Sequence, residues 1–117
     1  MKTILVVDDD TDVRTMMKFV LRQNKFKVLE AENGLRGLAL ATARKPDLII
    51  SDVMMENMNG FMLYELLRKD PRTASIPIIL VTGAAQNAGA WEADESVDYL
   101  QKPVSMSDLL QAVRKRL

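Results

Sequence analysis

The sequence predicts an α/β domain made of five strand–helix units, a parallel sheet with helices on both faces. Three observations predict it. Five short apolar runs rich in Val, Ile and Leu recur along the 117 residues. Between most of them, apolar residues fall at helical spacing. Four of the runs end on polar side chains: Asp8-Asp9, Asp52, Thr82 and Lys102. A strand covered on both faces reads as a continuous apolar run, and ligands in open α/β sheets bind beyond the carboxyl ends of the strands.

The elements follow in order. Ile4 to Val7 is the first strand, running straight into Asp8-Asp9-Asp10. Thr11 to about Asn24 is a helix with Val13, Met16, Met17, Val20 and Leu21 on its buried side, capped by Asp10 or Thr11. Phe26 to Glu30 is the second strand. Asn33-Gly34 turns into a second helix that ends near Arg44, with Leu35, Leu38, Ala39 and Leu40 as candidate core residues. Pro46 closes it, since the residue before a proline avoids the helical region. Asp47 to Ser51 is the third strand, and Asp52 follows. Gly60 opens a third helix that runs to about Lys69, buried through Phe61, Leu63, Tyr64, Leu66 and Leu67. Ile76 to Val81 is the fourth strand, with Pro77 near its start, where a ladder bond is least needed. Gly83 to Glu95 is Ala-rich and weakly patterned, and predicts a short or poorly anchored helix. Val97 to Leu100 is the fifth strand. Ser105 caps a last helix to Leu117, with Leu109, Leu110, Val113 and Leu117 on one face. Five such units are commonly ordered 2-1-3-4-5, which puts the ligand-binding switch point between strands 1 and 3. Those strands carry Asp8-Asp9 and Asp52.

Composition narrows the function. The chain is 48% hydrophobic, as expected of one globular domain over residues 1–117. It has 16 basic and 16 acidic residues, which argues against generic binding to nucleic acid or acidic membranes. It has no Cys and no His. Disulfides, thiol nucleophiles, His-dependent triads and most zinc sites are therefore excluded. The first apolar run is too short for a signal peptide or a membrane span, so the expected compartment is the cytoplasm.

The strand ends make one constellation. Three carboxylates at one rim repel and call for a cation among them. Hard oxygen donors of this kind suit Mg²⁺. Together with Lys102 and the Thr82 hydroxyl, these groups are the parts needed to accept a phosphoryl group. Asp10 and Asp12 are read as cap and first-turn charges. Met54, Met55, Met58 and Met62 are read as packing residues, and Gly34-Leu35-Arg36-Gly37 lacks the spacing of a nucleotide loop.

The ordered set Asp8-Asp9, Asp52-Val53-Met54-Met55, Gly60, Thr82 and Tyr99-Leu100-Gln101-Lys102-Pro103 resembles a response-regulator receiver domain of two-component signalling, of the chemotaxis-regulator kind, over the whole chain. The resemblance implies a flavodoxin-like fold and a switch in a phosphorelay. It implies Asp52 as phosphoacceptor from a partner phosphohistidine. It implies Mg²⁺ held by Asp8, Asp9, Asp52 and the Met54 carbonyl. Lys102 would pair with Asp52 and then with the phosphoryl group. Thr82 would bind a phosphoryl oxygen, Tyr99 would be the aromatic switch, and Lys102-Pro103 would be cis. The surface expected to change comprises the fourth helical segment, the fifth strand and the last helix. Expected partners are a histidine kinase or histidine phosphotransfer protein, a downstream effector or output domain, and a second copy on phosphorylation. Nucleic acid and membrane are not expected partners. The chain is either a free-standing receiver or one excised from a longer protein.

Two other readings compete. A haloacid-dehalogenase-type phosphatase would use Asp8 as nucleophile, but its pattern fails at Asp12. A pseudo-receiver would dock without taking phosphate. The chain also departs from the receiver pattern. Glu56 stands where the family usually has Pro, and Glu95-Ser96-Val97 replaces a small Gly-Ala pair. The Thr82–Tyr99 interval is somewhat short as well. The added carboxylate at Glu56 is expected to slow phosphate acquisition or alter metal affinity. Glu56→Pro and Glu56→Gln should change at least one of the two in acetyl-phosphate labelling and Mg²⁺ titration; no change in either would refute it.

Overall fold

The computed structural model describes residues 1–55, 58–83 and 97–117. The expectations placed on Glu56 and on the helix after Gly83 lie outside the described residues. Five parallel strands form one sheet: β1 Thr3–Val7, β2 Lys27–Ala31, β3 Leu48–Asp52, β4 Ile78–Thr82 and β5 Val97–Gln101. Their order is β2-β1-β3-β4-β5, as the sequence predicts. The described helices are α1 Thr11–Gln23, α2 Gly34–Arg44, α3 Gly60–Lys69 and α4 Met106–Arg116.

The strands are apolar throughout because both faces are covered. Leu5, Val7, Ile49, Ile78, Leu80 and Val97 face one side and pack with Leu63, Tyr64 and Leu67 of α3. Ile4, Val6, Leu48, Ile50, Ile79 and Val81 face the other and pack with Met17 and Leu21 of α1 and Leu109 and Val113 of α4. Each helix starts where an Asp, Asn or Ser supplies an acceptor to free N–H groups of the first turn. Asp10 accepts from Asp12 and Val13, Asn33 from Arg36, Asn59 from Met62, and Ser105 from Asp108. The cap of α1 is thus Asp10 and not Thr11.

Helical faces depart from expectation where small residues compete with large ones. On α2 the buried residues are Gly34, Gly37 and Ala41, while Leu35 and Ala39 are exposed. A side chain at Gly37 would come within 2.9 Å of Val7 Cγ2, so the helix backbone itself lies against the sheet. The small-residue stripe wins that face, and Leu38 and Leu40 pack at its flanks. On α1, Met16 is 52% exposed, and on α3, Leu66 points outward. In α4, Leu117 is exposed, as it follows the last helical residue. Strand ends shift slightly. β4 begins at Ile78 because Pro77 has no N–H to give, although its carbonyl accepts from Ile49 at 3.0 Å.

The end of α4 is tied to β5 through Asp98. Arg116 Nε donates to Asp98 Oδ2 at 2.6 Å and Lys115 Nζ to Oδ1 at 3.3 Å. The Arg116 bond holds the Asp98 carboxyl below the usual carboxylate range against the opposing effect of burial, with Lys115 adding to it. A depressed carboxylate contributes stability above its unfolded pKa and loses it as pH falls through the folded value. Asp98→Asn should therefore lower the melting temperature by about 4 °C at pH 7, or about 1 kcal/mol. The gap between the two proteins should close as pH drops below about 4; thermal melts across that range check it.

Candidate functional site

Register brings the acids together. Ile4 pairs with Leu48 and Val6 with Ile50 across β1 and β3. Side chains alternate along a strand, so Asp8 and Asp52 continue neighbouring rows at one level on the α1–α4 side of the sheet. In β5, Leu100 pairs with Val81, and Lys102 continues that row. One carboxylate oxygen each from Asp8, Asp9 and Asp52 lies within 4.8 Å of the other two. Asp8 and Asp52 are 2% and 3% exposed, whereas Asp9 is open to solvent. Three hard oxygen donors this close fit a magnesium ion. The Met54 carbonyl sits in the loop just after Asp52, and the Met54 side chain is exposed.

Each buried acid is held. Lys102 Nζ donates to Asp52 Oδ2 at 2.9 Å, and the Met54 N–H donates to Asp52 Oδ1 at 3.2 Å. The Asp10 N–H donates to Asp8 Oδ1 at 2.9 Å, and the Asp8 N–H to the Ala31 carbonyl at 3.1 Å. Burial pushes the Asp8 carboxyl above its ordinary value; the Asp10 N–H opposes this and the Asp52 charge adds to it. Burial works against the charge of Lys102, but its bond to Asp52 and the fields of Asp52, Asp8 and Asp9 win and raise its pKa. The Lys102-Pro103 bond is cis. The Lys102 N–H donates to the Thr82 carbonyl at 2.8 Å, joining the ends of β4 and β5.

Thr82 is buried at the rim. Leu80 pairs with Tyr99 and Thr82 with Gln101, so Thr82 and Tyr99 are diagonal neighbours on one sheet face. Tyr99 is half-buried against the core on that side. Asp8, Asp9, Asp52, Thr82 and Lys102 therefore lie at one edge, with Tyr99 two residues inward of the Thr82 level. Sequence reasoning missed Arg14, whose Nη1 donates to the Asp8 carbonyl, and Glu30, which pairs with Arg14. A signal existed: Arg14 stands near the start of α1, where the helix dipole disfavours a cation.

A 2-1-3-4-5 sheet that gathers acids at its switch point belongs to the doubly wound, flavodoxin-like class. Within that class the chain is a member of the response regulator receiver domain family, whose model matches residues 4–114. It is 38% identical to Protein PilH of Pseudomonas aeruginosa, over 97% of this chain and 95% of that protein. It is 35% identical to the DNA-binding dual master transcriptional regulator RpaA of Synechocystis, over 100% of this chain and 49% of RpaA. The chain spans about half the length of RpaA and also of the phosphate regulon regulator PhoB of Pseudomonas aeruginosa, of which it covers 52%. Among solved structures, the chemotaxis protein CheY4 of Vibrio cholerae superposes with a TM-score of 0.90 at 29% identity, covering 100% of this chain and 99% of that one. No described helix is long and apolar enough to cross a membrane.

Gly60 sets how close α3 comes to the acidic loop. An added Cβ would lie 2.7 Å from the Asp52 carbonyl oxygen and 3.0 Å from Val53 Cα. Both are backbone atoms and cannot rotate aside. Gly60→Ala should cost about 2 kcal/mol in denaturant unfolding and shift the amide resonances of Asp52 to Met54; unchanged values would show that the loop yields freely.

Proposed function

We propose that the chain is a phosphorylation-dependent switch that takes a phosphoryl group onto Asp52 from a phosphohistidine of a histidine kinase or histidine phosphotransfer protein. The observation that carries this is the environment of Asp52: a buried carboxylate paired with Lys102 and within reach of two more carboxylates. In the transfer, an Asp52 oxygen forms the bond to phosphorus, the phosphorus–nitrogen bond breaks, and the imidazole leaves with the electron pair. Asp8, Asp9, Asp52 and the Met54 carbonyl would hold Mg²⁺, which when bound supplies positive charge against the phosphoryl oxygens. Lys102 moves from pairing with Asp52 to pairing with a phosphoryl oxygen. Thr82 donates its hydroxyl to another. The phosphate adds about −1.5 to −2 charge at the rim.

The shift of Thr82 is passed to Tyr99 across their shared sheet face, and β5 and α4 are the described part of the surface that changes. That surface would meet a downstream effector, an output domain or a second copy of the chain. The expected compartment is the cytoplasm. Asp52 suits the nucleophile better than Asp8, because the Lys102 ammonium sits on its carboxylate, where the charge of an incoming phosphoryl group would be neutralised.

Mass spectrometry after treatment with acetyl phosphate and Mg²⁺ should place one phosphoryl group on Asp52 and none on Asp52→Asn. A label on Asp8 would favour the phosphatase reading. Absence of any label, with no binding of Mg²⁺ or beryllofluoride, would favour a docking module.

A further inference from the structure

We infer that Arg14, oriented by Glu30, is the positioning residue that holds the Asp8–Asp9 turn in its cation-binding shape. This rests on the reading of Asp8, Asp9 and Asp52 as the magnesium ligands. Arg14 lies in α1, four residues after the cap Asp10. Its side chain is only 14% exposed, and a charge so covered needs partners on every donor. Nη1 donates to the Asp8 carbonyl. Nη2 donates to the Thr11 hydroxyl at 3.3 Å. Nε lies 3.5 Å from Glu30 Oε1. Glu30 is in turn bound by Lys18 Nζ at 2.9 Å.

The geometry gives Arg14 leverage over Asp9. Asp9 lies between the Asp8 carbonyl, held by Arg14, and the Asp10 N–H, held by the Asp8 carboxylate. The turn is therefore clamped on both sides of the exposed acid. Glu30 pairs with Val6 in the β1–β2 register, so it reaches Arg14 from a rigid strand. A planar fork spans these directions at once, and a lysine ammonium does not. Partners that orient a ligand from behind commonly change metal affinity about tenfold or more when removed.

Charge and positioning predict opposite signs. A guanidinium on the Asp8 carbonyl puts positive charge beside the site and repels an incoming cation, so removing it as a mere charge should tighten Mg²⁺ binding. Removing it as a clamp should weaken binding. Calorimetric titration of Mg²⁺ into the full chain separates the two. Arg14→Gln is expected to bind about tenfold more weakly. Arg14→Lys, with its charge kept, should also bind more weakly, and Glu30→Gln should be weakened to a lesser degree. Lys18→Met, which leaves the Arg14 contacts in place, should bind like wild type.

Thermal melts without Mg²⁺ are run beside each titration, and near-wild-type melting of Arg14→Lys ties its loss of affinity to the clamp. Equal or tighter binding by Arg14→Gln, or wild-type binding by Arg14→Lys, would overturn the inference while leaving the magnesium site intact. Failure of the wild type to bind Mg²⁺, or binding by Asp9→Asn equal to wild type, would instead overturn the ligand assignment beneath it.

Discussion

Two buried carboxylates share one edge of this sheet, and a single lysine stands against them. Asp8 and Asp52 lie almost fully out of water with the exposed Asp9 beside them, and Lys102 pairs directly with Asp52. Buried charges of one sign are tolerated only when hydrogen bonds and an opposite charge compensate them. The surrounding chain supplies that compensation piece by piece. Backbone N–H groups of Asp10 and Met54 point at the carboxylates. Arg14 takes the Asp8 carbonyl, and the Lys102 backbone is anchored to Thr82. Burial still raises the Asp8 carboxyl above its ordinary value.

The frame around the rim is built for close approach. Gly60 brings α3 onto the backbone of Asp52 and Val53, and Gly34 and Gly37 bring α2 onto Met58 and Val7. Dense interiors move between discrete packings and do not deform smoothly. The acidic loop is thereby packed directly against the α3 terminus, and the Lys102 N–H ties its strand end to the Thr82 carbonyl. On the far end of β5, Asp98 joins the strand to Lys115 and Arg116 of α4. The strand thus leads at one end into the acidic site and is tied near the other to the helix that packs over it.

Much of this was legible beforehand, and for identifiable reasons. Val-, Ile- and Leu-rich runs that end in Asp8, Asp52 and Thr82 state both the strands and the polar rim, since two covered faces demand continuous apolarity. Asn59 and Ser105 announce helix starts by their chemistry. Helix faces were harder. Leu35 and Ala39 were expected inside, but Gly34, Gly37 and Ala41 take the buried stripe, because the distance between layers and not hydrophobicity chooses the face of α2. Met16 was expected inside for the same reason of pattern and is exposed. Arg14 escaped notice because its partners, the Asp8 carbonyl and Glu30, lie on other elements.

By itself the sequence determined the element order, the parallel sheet and which residues end each strand. These depend on local periodicity and on residue chemistry within a few positions. Only the tertiary structure decided that Asp8, Asp9 and Asp52 come within one cation's reach, that Lys102 pairs with Asp52, and that Arg14 meets the Asp8 carbonyl and Glu30. Those contacts span up to 50 residues and depend on strand register and layer spacing. Register is a property of paired strands, and no single segment contains it.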